Sequence, residues 1–366
     1  MSAFKVALCH QTVTWGDAIG HDIARMYGLL ERLGGEPVIV CESHRRQSGE
    51  LKSIRPEELD CASLSLLIYH HSQYWAAGES LVHKTSCPVI FRYHNITPAH
   101  FFAPYSARHS SVCVEGRKLT QRFLAIDRKH IWLADSIYNR DELEQSGAHP
   151  SRLFVAPPFN RSQALLGLEH CADYSAETVN WLLVGRLAPN KGHVQLLRVA
   201  QAFRSRARKV HVTLVGASDP EVDGYYNVIR TERSRLGLEG CIELRSHCSD
   251  AELIDLFRRS HIYVCFSEHE GFCVPIVEAQ AIGLPVIGSA ATAMGETAGP
   301  DQLLSDPPRA EEDYAFYAAL AEQVIDDGKL REQIVRDGER NVRERFTDEP
   351  IENAFVGAVH NLLHSS

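Results

Sequence analysis

Glu270 and Glu278 stand eight residues apart in SEHEGFCVPIVEAQAIGLPVIGS, residues 267–289, with Gly271 and Phe272 between them. The segment follows an apolar run and opens a helix. Backbone N–H groups at such a junction, with the helix N-terminus behind them, suit a phosphate or sugar hydroxyls. Carboxylates suit sugar hydroxyls because they accept strong charge-assisted hydrogen bonds. For Glu278 taken alone, a capped helix with a solvated glutamate is the competing reading. Residues 182–193, LLVGRLAPNKGH, supply the opposite charge. Arg186 and Lys191, five residues apart in a strand-to-helix loop, can converge on a diphosphate and neutralise a leaving group that gains charge. Two surface cations are the plainer alternative.

Weaker signals lie nearer the N-terminus. Residues 15–22, WGDAIGHD, follow the first apolar run. Gly16 and Gly20 would let backbone N–H groups approach a ligand, and an ordinary turn with Asp17 near a helix start explains the same residues. Residues 93–98, YHNITP, put His94 at a strand end, a position that is more often structural than reactive. LADSIYNRDEL places Asp135-Ser136 and Asn139-Arg140 at another helix start.

Alternating strands and helices must position these residues. Apolar, β-branched runs recur at 4–9, 37–41, 64–69, 88–93, 131–134 and 153–156, then at 181–184, 210–215, 241–244, 261–266 and 285–287. Near-continuous apolar strands are expected where both faces of a parallel sheet are covered. After the first run, Ile19, Ile23, Met26, Tyr27, Leu30 and Leu33 keep helical spacing until Gly34-Gly35 stops the helix. The pattern pauses between about 157 and 178. It therefore predicts an α/β protein of two tandem Rossmann-like, doubly wound domains. Residues 1–160 form the first, 161–178 a linker, and 179–347 the second. Ligands bind beyond the carboxyl ends of strands in such sheets, so the cleft between the domains is the expected site. Residues 348–366 form a last helix.

Composition narrows the function classes. The 366 residues are 44% hydrophobic and 23% charged, with a net charge of −9, which argues against nucleic-acid binding. Mean hydropathy is −0.20, and no run approaches the ~18–20 apolar residues of a membrane span. The start, MSAFKVALCH, reads as a first strand rather than a signal peptide. The ten cysteines are irregularly spaced without a CxxC pair, which fits a reducing cytoplasm. Cys9, Cys41 and Cys265 sit in apolar runs as small buried hydrophobes. None of the nineteen histidines has a convincing metal-ligand spacing, and His70 and His71 should face opposite ways on a strand. Arg204, Arg206, Arg208 and Lys209 read as a solvated helix end, with an anionic-lipid patch as the alternative.

EGFCVPIVE, followed by AxxxGLPVIGS and preceded by VGRLAPNKG, resembles the retaining family 4 glycosyltransferases, whose GT-B fold has two Rossmann-like domains. The resemblance spans nearly the whole chain, and YHNITP resembles a subgroup acting in bacterial polysaccharide and O-antigen assembly. It implies that Arg186 and Lys191 hold the diphosphate of a nucleotide-sugar donor. It puts Glu270 on the sugar hydroxyls and Glu278 on the ribose, with the Gly271, Phe272, Cys273 and Val274 backbone on sugar and phosphate. Cys273 departs from the family's usual glycine. His94 matches a histidine near the anomeric centre, and Gly16, Asp17 and Gly20 fall on the donor side. In IELRSH, residues 242–247, Arg245 could stack on the nucleobase, with an outward-facing strand arginine as the alternative. Gly295-Glu296 resembles a loop near the end of the family's donor domain, and the last helix would cross back to the first domain.

No Asp-x-Asp motif occurs, so no metal or other cofactor is expected. The implied reaction is retaining transfer of a hexose to a glycan or lipid-linked glycan. The first donor considered is GDP-mannose, with UDP-linked donors open. Lipid-linked acceptors would require an approach to the inner face of the membrane. A non-catalytic nucleotide-sugar-binding scaffold subunit and a GT-B sugar-nucleotide epimerase are the alternatives. A dinucleotide-dependent dehydrogenase would need a Gly-rich fingerprint that HQTVTWGDAIGHD does not supply.

Overall fold

The computed structural model describes residues 4–45 and 51–364. The outermost residues of the expected first strand region and last helix, 1–3 and 365–366, lie outside the described residues. Contacts group the chain into two compact units. The first comprises Met1–Ile96, Ser111–Asn160 and Phe346–Ser366, and the second Thr97–Ser110 and Arg161–Arg345.

The strands of the first unit are β1 (Phe4–Cys9), β2 (Thr12–Thr14), β3 (Gly35–Val40), β4 (Ser43–Arg45), β5 (Ser53–Ile54), β6 (Leu66–His71), β7 (Val89–Tyr93), β8 (His130–Ala134) and β9 (Leu153–Val155). Seven of them make one parallel sheet in the order β5-β3-β1-β6-β7-β8-β9, and β2 pairs separately with β4. From β1 the chain builds outward on one side, then returns to build the other from β6. One face of this sheet packs Val6, Leu8, Ile68, Ile90 and Leu133 against Ile23, Met26 and Leu30 of the helix Ala18–Arg32. The last helix, Asp348–His364, lays Ile351, Phe355, Ala358 and Leu362 into the same core. On the other face Phe91 stacks between Phe123 and Trp132, with centroids 4.7 and 4.6 Å away.

The second unit repeats the plan with β10 (Thr178–Val184), β11 (Lys209–Val215), β12 (Ile242–Arg245), β13 (Ile262–Cys265), β14 (Val286–Ser289) and β15 (Leu303–Ser305). All are parallel, in the order β12-β11-β10-β13-β14-β15. Trp181, Leu183, Val212, Leu214, Ile262 and Val264 form the centre of its core with Leu196, Leu197, Ala200 and Phe203 of the helix His193–Ser205. The order reverses between β10 and β13, so the loops after these two strands leave the sheet side by side. That splayed pair of loops is where an open α/β sheet makes room for a ligand.

The apolar runs locate every long strand. The four that periodicity does not announce, β2, β4, β5 and β15, are two or three residues long. The expected linker holds a helical turn, Ser162–Leu165. The segment 97–110, read from sequence as part of the first domain, groups with the second unit. Tyr105 packs edge-on against Tyr225, Arg108 pairs with Glu221, and His109 lies 3.2 Å from Asp219. These partners lie far away in sequence, so local pattern does not show them.

Candidate functional site

Lys191 and Glu270 meet at the reversal of strand order in the second unit. Lys191 ends a 3₁₀ turn, Pro189–Lys191, on the loop after β10, and Glu270 sits on the loop after β13. Lys191 Nζ donates to Glu270 Oε1 at 2.7 Å, and both side chains are largely buried. Burial alone would lower the lysine's pKa, but the adjacent carboxylate outweighs it and holds the ammonium charged. The following residue, Gly192, has φ +69°, and a Cβ there would stand 2.0 Å from the Phe266 carbonyl oxygen. The two loops approach this closely only because residue 192 is glycine.

The loop carrying Glu270 is held on both sides. Asn190 Nδ2 donates to the His269 carbonyl at 2.9 Å, and the Glu268 amide donates to the Asn190 carbonyl at 2.8 Å. From the other side Thr292 Oγ1 accepts from the Glu270 amide and donates to the Glu270 carbonyl, at 2.8 and 2.9 Å. Thr297 Oγ1 donates to the Phe272 carbonyl at 2.6 Å. Helix Val274–Ala281 then starts with Cys273 as its N-cap, at φ +80°. That left-handed conformation ordinarily favours glycine. It explains why cysteine at this position is a departure in chemistry while the backbone path is a glycine's. Beneath the loop Cys265 Sγ lies 4.0 Å from Cys273 Sγ, 3.6 Å from Met294 Sδ and 3.4 Å from Ser267 Oγ. The hydrogen bond between the two thiols lowers the Cys265 pKa, while that bond and burial push the Cys273 thiol well up.

Glu278 is separate from this cluster. It is buried on the helix and accepts from Arg161 Nε at 2.8 Å, while Arg161 also reaches Asp250 at 3.0 Å. Arg186 is exposed, and its guanidinium has no hydrogen-bond or ion-pair partner among the described residues. Arg245 ends β12, at the sheet edge two strands from β10, and pairs with Glu243 at 2.6 Å. The basic group near the helix end is tied down: Arg206 pairs with Glu322, Arg208 with Asp326, and Lys209 with Glu177. Arg204 donates to a neutral acceptor, the Gly237 carbonyl, at 2.8 Å.

In the first unit the carboxyl ends of the strands hold a different cluster. Arg92, fully buried in β7, donates to Asp22 at 2.9 Å and to the Ala156 carbonyl at 2.6 Å, and lies 3.1 Å from Asp135. Asp135 in turn contacts His94 Nδ1 at 2.8 Å, and His94 Nε2 contacts His70 Nδ1 at 2.9 Å. Asp135 accepts from Nδ1–H, and Nε2 is placed to accept from His70 Nδ1–H. Burial pushes the His70 pKa well down, which keeps that ring neutral. His71 faces the other way and meets Thr120 at 2.8 Å. Asp17 caps the helix Ala18–Arg32 by accepting from the Gly20 amide at 2.7 Å. A Cβ at Gly20 would stand 2.1 Å from the Thr14 carbonyl oxygen, so this turn needs glycine. Gly16, at φ +102°, has open space where a Cβ would be.

The structure thus joins Lys191, Glu270 and Cys273, leaves Arg186 open, and ties Glu278 and Arg245 to local partners. Sequence reasoning missed Arg161 as the partner of Glu278, and Thr292 and Asn190 as the loop's clamps. It also missed the Asp22–Arg92–Asp135 core, although an arginine inside the apolar run VIFRY is a signal that a buried carboxylate must be near.

Residues 177–341 match the family model described as glycosyl transferases group 1. This segment is a glycosyl transferases group 1 domain. It contains the loops of β10 and β13 with Arg186, Lys191, Glu270 and Glu278. The chain is 31% identical over 103 residues to GDP-mannose:cellobiosyl-diphosphopolyprenol alpha-mannosyltransferase of Xanthomonas campestris, 28% of this chain and 26% of that protein. It is 25% identical over 294 residues to D-inositol 3-phosphate glycosyltransferase of Corynebacterium aurimucosum, covering 71% and 64% of the two chains. The chain therefore spans about a quarter of the first relative's length and just under two thirds of the second's. Among solved structures, Anabaena HepE in complex with UDP and glucose superposes with a TM-score of 0.73 at 16% identity, over 97% of this chain and 99% of that one. The fold is GT-B, with the group 1 domain as its second α/β unit. No helix among the described residues is long and apolar enough to cross a membrane.

Proposed function

We propose that this protein is a retaining glycosyltransferase that moves a hexose from a nucleotide-sugar donor to a glycan or lipid-linked glycan acceptor. The observation that carries the reading is the Lys191–Glu270 pair, held on two clamped loops at the reversal of strand order. A salt bridge in that position is a placeholder. A donor diphosphate can take the ammonium, and sugar hydroxyls can take the carboxylate, without either charge being left unpaired. Arg186, exposed and without a side-chain partner among the described residues, supplies a second cation for the diphosphate. Charge that builds on the leaving group would be met by Lys191, Arg186 and the backbone N–H groups of Gly271, Phe272, Cys273 and Val274. We assign Glu278 to the ribose, with Arg161 fixing its orientation. Arg245 is the candidate for the nucleobase.

His94, on the first unit, is assigned to the reacting sugar or departing phosphate, with Gly16, Asp17 and Gly20 on the donor side. Its Nε2 would exchange His70 for the ligand. Among the described residues no side chain stands out as a covalent nucleophile, so the leaving phosphate itself would help deprotonate the acceptor. This chemistry needs no divalent metal, because the two cations and the amides neutralise the diphosphate. GDP-mannose is the first donor to try, since one relative is named for it. UDP-glucose is the second, since a structural neighbour holds UDP and glucose. The lipid-linked acceptor in the first relative's name also motivates a bacterial polysaccharide setting and contact with the inner face of the membrane.

A donor panel read by thermal shift, then by transfer to glycan acceptors, tests this. Binding to the folded form raises the apparent melting temperature by mass action. One nucleotide family should shift the protein, and Lys191→Ala should remove most of that shift. A panel without any shift would overturn the reading. Binding without transfer or donor hydrolysis would instead make the protein a nucleotide-sugar-binding subunit.

A further inference from the structure

The loop that carries Glu270 begins and ends at a thiol. Cys265 closes β13 and Cys273 caps the next helix, so the chain from one to the other runs out and back. Their sulfurs stand 4.0 Å apart, and Cys265 Sγ, Cys273 Sγ and a Glu270 carboxylate oxygen all lie within 4.8 Å of one another. All three residues are buried. In a tetrahedral zinc site with Zn–S near 2.3 Å, two thiolate sulfurs stand roughly 3.8 Å apart. The pair is therefore spaced for a shared ion with almost no movement, whereas a disulfide would draw the sulfurs to about 2.05 Å.

We propose that Cys265, Cys273 and Glu270 form a binding site for a thiophilic divalent cation, Zn²⁺ or Cd²⁺, under the donor loop. The charge balance favours it. Two thiolates and a carboxylate carry three negative charges, the ion carries two positive ones, and the Lys191 ammonium beside Glu270 neutralises the remainder. The two thiols lose their protons to solvent as the ion binds. Two sulfurs and one oxygen suit zinc or cadmium over the hard cations magnesium and calcium. The other three-ligand cluster among the described residues, Asp22–His70–His94, is less available. Its carboxylate is already committed to Arg92 and to the Phe159 amide.

Metal binding here does not depend on the proposed reaction, but its consequence does. The ion would engage Glu270, so on the glycosyltransferase reading it competes with the donor's sugar for that carboxylate and inhibits.

The test uses the full chain under reducing conditions, titrated with Cd²⁺ for thiolate-to-metal absorbance and with Zn²⁺ against a colorimetric chelator. One equivalent should bind, with a thiolate band. Cys273→Gly is the key variant, because its backbone at φ +80° accepts glycine. It should weaken Zn²⁺ binding more than about 100-fold, beyond the tenfold to hundredfold that altering a group behind a ligand costs. Cys265→Ser should do the same, with circular dichroism to check folding. Absence of a thiolate band in the wild type would overturn the site. So would equal affinity in a folded Cys273→Gly variant. Zn²⁺ should also abolish the donor's thermal shift in the wild type. If no donor binds but the thiolate band is present, the glycosyltransferase reading fails and the metal site stands.

Discussion

The two units place charged clusters at equivalent ends of equivalent sheets, yet the clusters are built in opposite ways. In the first unit Arg92 lies inside a strand, and Asp22, Asp135 and the Ala156 carbonyl close around it. His94 fills its ring nitrogens with Asp135 and His70. Every charge there has a fixed partner from its own unit. In the second unit Lys191 and Glu270 pair across two loops, Glu278 on its helix pairs with Arg161, and the Arg186 guanidinium has no partner among the described residues. A buried charge ringed by several ligands is held for the fold's sake, because removing one partner strands the others in low dielectric. A single ion pair on two loops can trade its partner for a ligand at little cost. The same topology thus yields a closed electrostatic core in one unit and an exchangeable pair in the other.

Variants can break that contrast, and the largest effect belongs to the closed cluster. Arg92→Ala should cost about 3–5 kcal/mol of stability, read from denaturant midpoints, because it leaves two buried carboxylates without their cation. A loss below about 1 kcal/mol would mean that water reaches the cluster. Glu270→Gln should leave folding intact and lower turnover by about 10²–10³, the loss typical of removing one group that stabilises the transition state. His94→Ala should lower kcat by roughly 10–100-fold, as for loss of one hydrogen bond to a charged group. A wild-type kcat would assign His94 wholly to the closed cluster.

Acid sharpens the comparison further. Burial lowers His10 to about 4 and His71 and His193 to about 3. Their folded pKa values lie below the unfolded value of about 6.5, so between these limits the unfolded chain binds protons that the native one does not. Stability should therefore fall as pH drops from about 6.5 toward 4, by up to ~1.4 kcal/mol per pH unit for each histidine. His193→Gln should flatten the slope measured by denaturation at several pH values. The smallest effect is expected at Cys273→Gly, under about 1 kcal/mol, because relief of the left-handed backbone offsets the lost thiol packing.

The fold was legible to the extent that burial is written in runs of residues. VIFRY, WLLV and IYVC announce β7, β10 and β13 because strands covered on both faces must be apolar throughout. The two-residue strand β5 is not announced, since so short a segment has no periodicity to read. The candidate-site residues were legible because Lys191 and Glu270 sit at the ends of such strands, where loops carry chemistry. Their mutual salt bridge was not, as 79 residues separate them. Asp135 illustrates the converse. Sequence placed it at a helix start, while its work in the structure is to orient His94 and neutralise Arg92.

The residue order by itself determined the alternation of strands and helices, the glycine turns at 20 and 192, and the loops at the strand ends. These follow from local sterics and from the need to cover apolar strands. Only the tertiary structure decided which charges meet, that Glu278 belongs to Arg161, that segment 97–110 packs with the second unit, and that two thiols eight residues apart face each other. Those outcomes depend on strand order within a sheet. Strand order is set by how whole elements share one core, and no local stretch of sequence contains that information.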